Sequence, residues 1–284
     1  MKVAVTGARG FVGRHVVAHL EGRGLSPTLV YRPGTAIPDG WPRHPVVEMD
    51  IGAAPPDAYD RLGRPGVLVH LAWGGLPNYA SPHHLERELP AHRAFLAGLI
   101  EAGLGALAVA GTCLEYGLQS GALREDVPTR PVTAYGEAKD ALRKELERLQ
   151  SIRPFDLTWT RLFYLHGAGQ AAGSLLPQLD RAIARGDATF DMSGGEQLRD
   201  YLPVEEAARK LVALALSGRD NGVVNVCSGR PISVRELVEA VVARHGSSIR
   251  LNLGRYPNPE YEPMAFWGDR SKLSRLLGAT DEPV

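Results

Sequence analysis

Tyr135 and Lys139 stand four residues apart in YGEAK (135–139), at the start of a helical stretch, so phenol and ammonium share one helix face. A lysine beside a phenol favours the phenolate and is expected to bring the tyrosine pKa down towards working pH. Such a tyrosine can protonate an alkoxide or deprotonate an alcohol. In AGTCLEYG (110–117), Thr112 ends an apolar strand, where its hydroxyl can hold a substrate oxygen beside Tyr135. Its neighbours Cys113 and Leu114 supply no carboxylic acid, and Glu115 is expected to be a solvated or ion-paired loop acid.

A second group lies at the start of the chain. TGARGFVG (6–13) spaces Gly7, Gly10 and Gly13 three apart, between the β-branched run KVAVT (2–6) and the apolar helical pattern Phe11, Val12, Val16, Val17, Leu20. The first glycine permits a tight turn, the second lets backbone approach a pyrophosphate, and the third lets the helix pack closely on a sheet. The phosphates then meet a positive helix N-terminus. Gly7, Arg9, Gly10, Phe11, Val12 and Gly13 are therefore assigned to a dinucleotide. The second strand ends VYRPG (30–34), with Tyr31 and Arg32 where an acid would otherwise accept the ribose hydroxyls. Arg9 and Arg32 form charge-assisted bonds well suited to a 2′-phosphate, which favours NADP over NAD. Asp50, beside Ile51 in EMDI, can accept a bond from the adenine amino group.

Buried strands are expected at TLVY (28–31), VVEM (46–49), VLVHL (67–71), ALAVA (106–110), DLTWTRL (156–162) and GVVNV (222–226). Helices are expected near 85–102, 137–150, 174–185 and 233–244. Strands alternating with helices predict a Rossmann-like, doubly wound parallel sheet in an α/β fold. From about residue 166 the texture becomes richer in Gly, Pro and loop. The expected division is a nucleotide-binding part, 1–165 plus about 201–227, and a smaller substrate-binding part, 166–200 and 228–284, with a cleft between them. The loop WGGLPNY (73–79) should border that cleft with Trp73 as a wall, PHH (82–84) should be a surface loop doublet, and the last thirty residues, with YPNPEYEP (256–263), should be loop-rich and wrap the surface.

Composition excludes other classes. Lys+Arg and Asp+Glu number 32 each, which argues against nucleic acid or an anionic membrane as partner. No apolar run approaches the roughly 20 residues that span a bilayer, and MKVAVTGARG lacks the apolar stretch of a signal peptide. Two cysteines, Cys113 and Cys227, make neither a disulfide framework nor a metal motif, so no metal and a cytoplasmic, reducing location are expected.

The glycine turn, GTCLEYG and Tyr135-x-x-x-Lys139 together resemble the extended short-chain dehydrogenase/reductase family of nucleotide-sugar enzymes. RLFYLHGAGQ (161–170), RDYLPVEEAA (199–208) and NVCSGRPISVREL (225–237) extend the resemblance over essentially the whole chain. It implies Thr112, Tyr135 and Lys139 as the catalytic triad, with Lys139 also bonding the nicotinamide ribose. It implies Leu71, Ala72, Trp73 and Leu162 along the cofactor, and Arg199 on the nucleotide-sugar diphosphate. The substrate pocket is expected to hold Trp73, Thr112, Cys113, Tyr135, Tyr164 and Arg199, and a homodimer is implied. Tyr164 stands where many members carry an Asn, His166 replaces a Tyr, and Pro203 replaces a His, which suggests a subgroup.

Members that dehydrate sugars carry acids just after the catalytic Ser or Thr, where this chain has Cys113 and Leu114. A cysteine acting as an epimerising acid/base lies two residues before the strand-end tyrosine, whereas Cys113 lies three before Tyr116. Two chemistries remain. An NADPH-dependent reductase would pass hydride to a nucleotide-linked 4-keto-6-deoxyhexose, and an NAD-dependent 4-epimerase would oxidise C4 and return the hydride. Arg32 favours the reductase. A regulator of this fold that merely senses NADP would typically lack the Tyr or the Lys, and this chain keeps both.

Overall fold

The computed structural model describes residues 1–35 and 43–278. In chain order its strands are β1 (Val3–Thr6), β2 (Thr28–Tyr31), β3 (Val46–Glu48), β4 (Val67–His70), β5 (Ala106–Thr112), β6 (Gly121–Leu123), β7 (Asp156–Leu162), β8 (Tyr164–His166), β9 (Thr189–Asp191), β10 (Leu198–Pro203), β11 (Gly222–Val226), β12 (Pro231–Ser233), β13 (Arg250–Asn252) and β14 (Phe266–Gly268). The helices are α1 (Phe11–Gly22), α2 (Ala58–Arg61), α3 (Leu89–Glu101), α4 (Ala134–Ile152), α5 (Leu175–Arg185), α6 (Val204–Ala215), α7 (Val234–Arg244) and α8 (Ser271–Leu277).

Seven strands form one sheet in the order β3-β2-β1-β4-β5-β7-β11, every pair parallel. Because side chains alternate along a strand, each buried run feeds two cores. Ala4, Leu68, Leu107 and Leu157 face α3 and α4, where they meet Phe95, Leu96, Leu142 and Leu146. Val3, Val5, Val67 and Val69 face α1 and α6, against Val16, Leu20, Ala208 and Leu211. Each buried Val, Leu or Phe among them contributes about 1.5–3 kcal/mol. The chain order reverses between β1 and β4, and the crevice at that switch point is where this topology places a ligand.

Local chemistry sets the ends of α4. The Thr133 hydroxyl accepts the Gly136 N–H at 3.1 Å, and Leu142, Leu146 and Leu149 line the buried stripe. Arg143 bonds Glu147 at 2.7 Å one turn on, and Pro154 follows the last turn. No helix is expected over 204–215 from the sequence, yet α6 stands there and closes the second core. The tail holds β14, paired with β6, and α8 against Leu202 and Leu214, so it is structured where a loop wrap is expected. Two smaller sheets, β12-β10-β8 and β13-β9, support a third core in which α5 and α7 bury Leu179, Ala182, Val238 and Val241. Among the described residues, no helix is long and apolar enough to cross a membrane.

Candidate active site

The glycine turn joins β1 to α1 beside the sheet crevice. Gly7 has φ +68°, and a Cβ there would lie 2.7 Å from the Ala72 nitrogen at the end of β4. A Cβ at Gly13 would collide with the Gly7 carbonyl, so α1 can cross this close to the turn without one. No side chain caps α1, leaving the N–H groups of its first turn directed at the crevice. A cavity of about 600 Å³ opens here. Its walls include Gly7 to Gly10, Tyr31 and Arg32, Asp50 and Ile51, and Ala72 to Gly74. Arg9 lies close enough to Tyr31 to oppose the burial that raises this phenol to about 12. Neither Arg9 nor Arg32 has an ion-pair partner among the described residues. Asp50 spends one carboxylate oxygen on the Gly52 N–H at 3.0 Å. Close backbone, an uncapped helix start and two unpaired guanidiniums fit a phosphate-bearing dinucleotide. Leu71, Phe11, Val12 and Gly13 stand behind this wall rather than on it.

Thr112, Tyr135 and Lys139 come together at the ends of β5 and the first turns of α4. Glu115 fixes the strand end. It is fully buried, and its carboxylate accepts the Thr112 N–H at 2.9 Å, Trp159 Nε1–H at 2.9 Å and Arg161 Nε–H at 2.8 Å. Of the two states expected for this acid the solvated one is wrong, because partners on β7 draw it inside. The Tyr135 N–H donates to the Tyr79 carbonyl at 3.0 Å. Lys139 is 2% exposed, donates to the Ala110 carbonyl at 2.9 Å and lies 3.9 Å over the Trp73 ring.

The expected lowering of the Tyr135 pKa is not found. Burial drives the phenol upward, with Tyr79, Glu115 and Cys113 adding to the effect, while a Thr112 hydrogen bond pulls the other way. Lys139 is 5.9 Å from the phenol ring, is itself brought down to about 7 by burial, and does not offset the desolvation of the phenol. Tyr135 is thus held as a neutral phenol, a form suited to donating a proton. PHH is also not a surface doublet. His84 is fully buried, accepting Trp73 Nε1–H at 3.1 Å and bonding the Asn78 carbonyl at 2.8 Å. It is drawn in by an indole from the neighbouring loop.

The model of the NAD dependent epimerase/dehydratase family matches residues 3–227. The chain belongs to this family. Membership makes it an NAD(P)-dependent, oxidoreductase-type enzyme of the extended short-chain dehydrogenase/reductase group, as the motifs imply. It is similar to a dTDP-6-deoxy-L-talose 4-dehydrogenase (NAD(+)) of Aggregatibacter actinomycetemcomitans, 29% identical over 270 residues that cover 94% of this chain and 99% of the relative. A dTDP-6-deoxy-L-talose 4-dehydrogenase (NAD(P)(+)) of Kitasatospora kifunensis is 29% identical over 262 residues, covering 86% and 79%. Among solved structures, MoeE5 in complex with UDP-glucuronic acid and NAD superposes with a TM-score of 0.84 at 27% identity, covering 98% of this chain and 93% of that one.

In this family member there is a second cavity, of about 310 Å³. Tyr164, Arg199, Tyr201, Gln197 and Glu262 are among its walls. Trp73 lines the first cavity and meets the Tyr135 ring at 6.0 Å, while Tyr79 meets Tyr135 at 5.6 Å and Tyr261 at 6.0 Å. Ring contacts thus run from Trp73 on the first wall through Tyr135 and Tyr79 to Tyr261, the neighbour of Glu262 on the second wall. Thr112, Tyr135 and Lys139 themselves line neither cavity. Arg199 is 2% exposed and stacks 4.8 Å over Phe266. It donates to Glu262 at 3.0 and 3.3 Å. Cys113 is buried beside Tyr116, Phe163 and Phe266, and burial raises its thiol pKa far above the ordinary value. It packs a core rather than lining either cavity, contrary to its expected place in the substrate pocket, and is a poor acid. Leu162 pairs with Thr112 in register but packs into the core beneath β11, outside both cavities. Glu88, His92, Tyr79 and Glu262 are not anticipated from sequence. Of these, the Glu88–His92 pair has a local signal, its i,i+4 spacing ahead of a helix.

Proposed function

We propose that the protein is an NADPH-dependent reductase of a nucleotide-linked 4-keto-6-deoxyhexose. The observation that carries this reading is the buried Thr112–Tyr135–Lys139 group, followed by a packed thiol and an aliphatic side chain where elimination would need an acid. The talose relatives named 4-dehydrogenases support it, because oxidation at C4 and reduction of a 4-ketone are one hydride transfer run in opposite directions.

NADPH would be held by the glycine turn, with Arg9 and Arg32 taking its 2′-phosphate, and when bound its nicotinamide supplies the hydride. Thr112 donates to the carbonyl oxygen and fixes it beside Tyr135. Tyr135, kept as a phenol by burial, gives its proton to that oxygen as it gains charge. Lys139, as ammonium, stabilises the phenolate left behind. The first part of the chain (1–165 and about 201–227) would carry the cofactor, and the remainder would carry the sugar nucleotide. Arg199 would meet the diphosphate once it exchanges Glu262 for it.

The test supplies NADPH or NADH with a panel of nucleotide-4-keto-6-deoxyhexoses and follows loss of nicotinamide absorbance. Stoichiometric NADPH consumption is expected. Interconversion of sugars without added cofactor overturns the reading and makes the protein a 4-epimerase.

A further inference from the structure

Beside Trp73, and sharing the wall of the first cavity at Glu88 and His92, runs a chain of hydrogen bonds that no step above uses. The Thr6 hydroxyl accepts the Leu71 and Ala72 N–H groups at 3.2 and 3.3 Å, so its own hydrogen is free for His70 Nδ1 at 2.9 Å. His70 Nε2 meets His92 Nδ1 at 2.7 Å, and His92 Nε2 meets Glu88 at 3.1 Å. The Glu88 carboxylate also accepts the Gly74 N–H at 2.6 Å and bonds His83 Nε2 at 2.9 Å.

A carboxylate at one end settles the direction of the whole chain. Glu88 takes a proton-bearing nitrogen from His92, His92 accepts from His70, and His70 accepts from Thr6. Every polar atom is satisfied with both imidazoles neutral. The chain starts on Leu71 and Ala72 and ends on Gly74, so it clasps the loop that carries Trp73 from both sides. The Trp73 ring stacks on His92 with centroids 4.6 Å apart and planes 19° apart, and the same ring carries the Lys139 ammonium. The turn bearing Glu88, His84–Glu88, is a wide π-type turn running directly into α3.

We propose that Glu88 is a positioning residue for Lys139. Its carboxylate holds the lysine in the ammonium form, and its hydrogen-bond chain fixes the indole on which that ammonium lies. The inference rests on the reading of Lys139 as the catalytic lysine. Lys139 is faced by Glu115 from the turn after β5, by Tyr135 from its own helix, by His70 from β4, and by His92 and Glu88 from α3 and the turn before it. Glu115 is committed to Arg161 and Trp159 and lies 3.9 Å from Arg143, which leaves Glu88 as the acid not shared with a guanidinium. Burial lowers Lys139 to about 7, and Glu115 and Glu88 oppose it. The charge of this lysine thus turns on small electrostatic changes near neutral pH.

The experiment follows the Lys139 side-chain NMR resonance against pH in the protein without cofactor, for wild type, Glu88→Asp and Glu88→Gln. Melting curves establish that each variant is folded. Loss of the carboxylate should move the Lys139 midpoint about half a pH unit or more to the acid side, with the shorter Asp between Gln and wild type. The alkaline limb of kcat at saturating NADPH should move with it. At the wild-type midpoint pH the Gln variant would then keep about a quarter of its plateau rate against one half. Equal midpoints in wild type and any folded variant overturn the proposal, as does a lower kcat with an unmoved limb, the mark of a packing effect alone. A shifted resonance in a protein that turns over none of the sugars would leave this inference standing and defeat the functional reading.

Discussion

The two cavities handle charge in opposite ways. On the cofactor side, Arg9 and Arg32 line the space with no ion-pair partner among the described residues, and the first turn of α1 is uncapped. On the side proposed for the substrate, Arg199 is buried and neutralised by Glu262, which lies 63 residues further along the chain. The first side is preorganised for an anion. The second satisfies itself; under the proposed function it would exchange an internal carboxylate for a ligand phosphate, binding and releasing substrate with little net change in buried charge.

The largest effect should come from the proposed proton donor, which belongs to neither wall. Tyr135→Phe should lower kcat by about 10²–10⁴-fold while leaving both Michaelis constants near wild type, the contribution of a positioned general acid. A variant of wild-type rate would remove the proposed proton transfer. Next, Arg32→Ala should raise KM for NADPH by about 10-fold or more, the worth of a charge-assisted phosphate contact, and leave KM for NADH and for the sugar unchanged. Equal losses for both cofactors would place Arg32 away from the 2′-phosphate.

Glu262→Gln probes the self-neutralised side. It frees Arg199 for the substrate, so KM for the nucleotide sugar should fall by about 3-fold. The same change leaves a buried guanidinium less well paired, and the melting temperature should fall by about 5 °C. A rise in sugar KM would mean that Glu262 itself contacts substrate and that the two sides are alike. The smallest effect concerns acid stability. The His92 hydrogen bond, assisted by Gly74 and His83 against burial, lowers Glu88 from 4.5 to about 2. A depressed carboxylate stabilises the fold above its unfolded pKa and loses that contribution as pH falls, here between 4.5 and 2. Melting temperatures measured across that window should drop less steeply in Glu88→Gln than in wild type.

The same contrast governs what the sequence reveals. The glycine turn, the strand end at Thr112 and the Tyr135–Lys139 spacing are legible because backbone conformation and helical periodicity over a few residues place them. The sheet follows from alternating apolar runs in the same way, and even α6 carries a readable stripe in Val204, Ala207, Ala208 and Leu211. Glu115 is different. Its burial depends on Trp159 and Arg161, which meet it only once β5 and β7 pair. Arg199 and Glu262, or His70 and His92, are likewise partners made by topology, and no local spacing distinguishes them from surface charges. The direction of the Tyr135 pKa has the same origin, since desolvation is a property of the assembled core.

The central claim, hydride transfer to a sugar carbonyl from a cofactor consumed at substrate scale, is tested most directly with NADPH deuterated at the transferable position of the nicotinamide. Incubation with the accepted 4-keto sugar nucleotide, followed by mass spectrometry and NMR of the product, should find one deuterium on C4 for each NADPH oxidised. A C4-epimerised sugar carrying no deuterium, with the NADPH unspent, would contradict it.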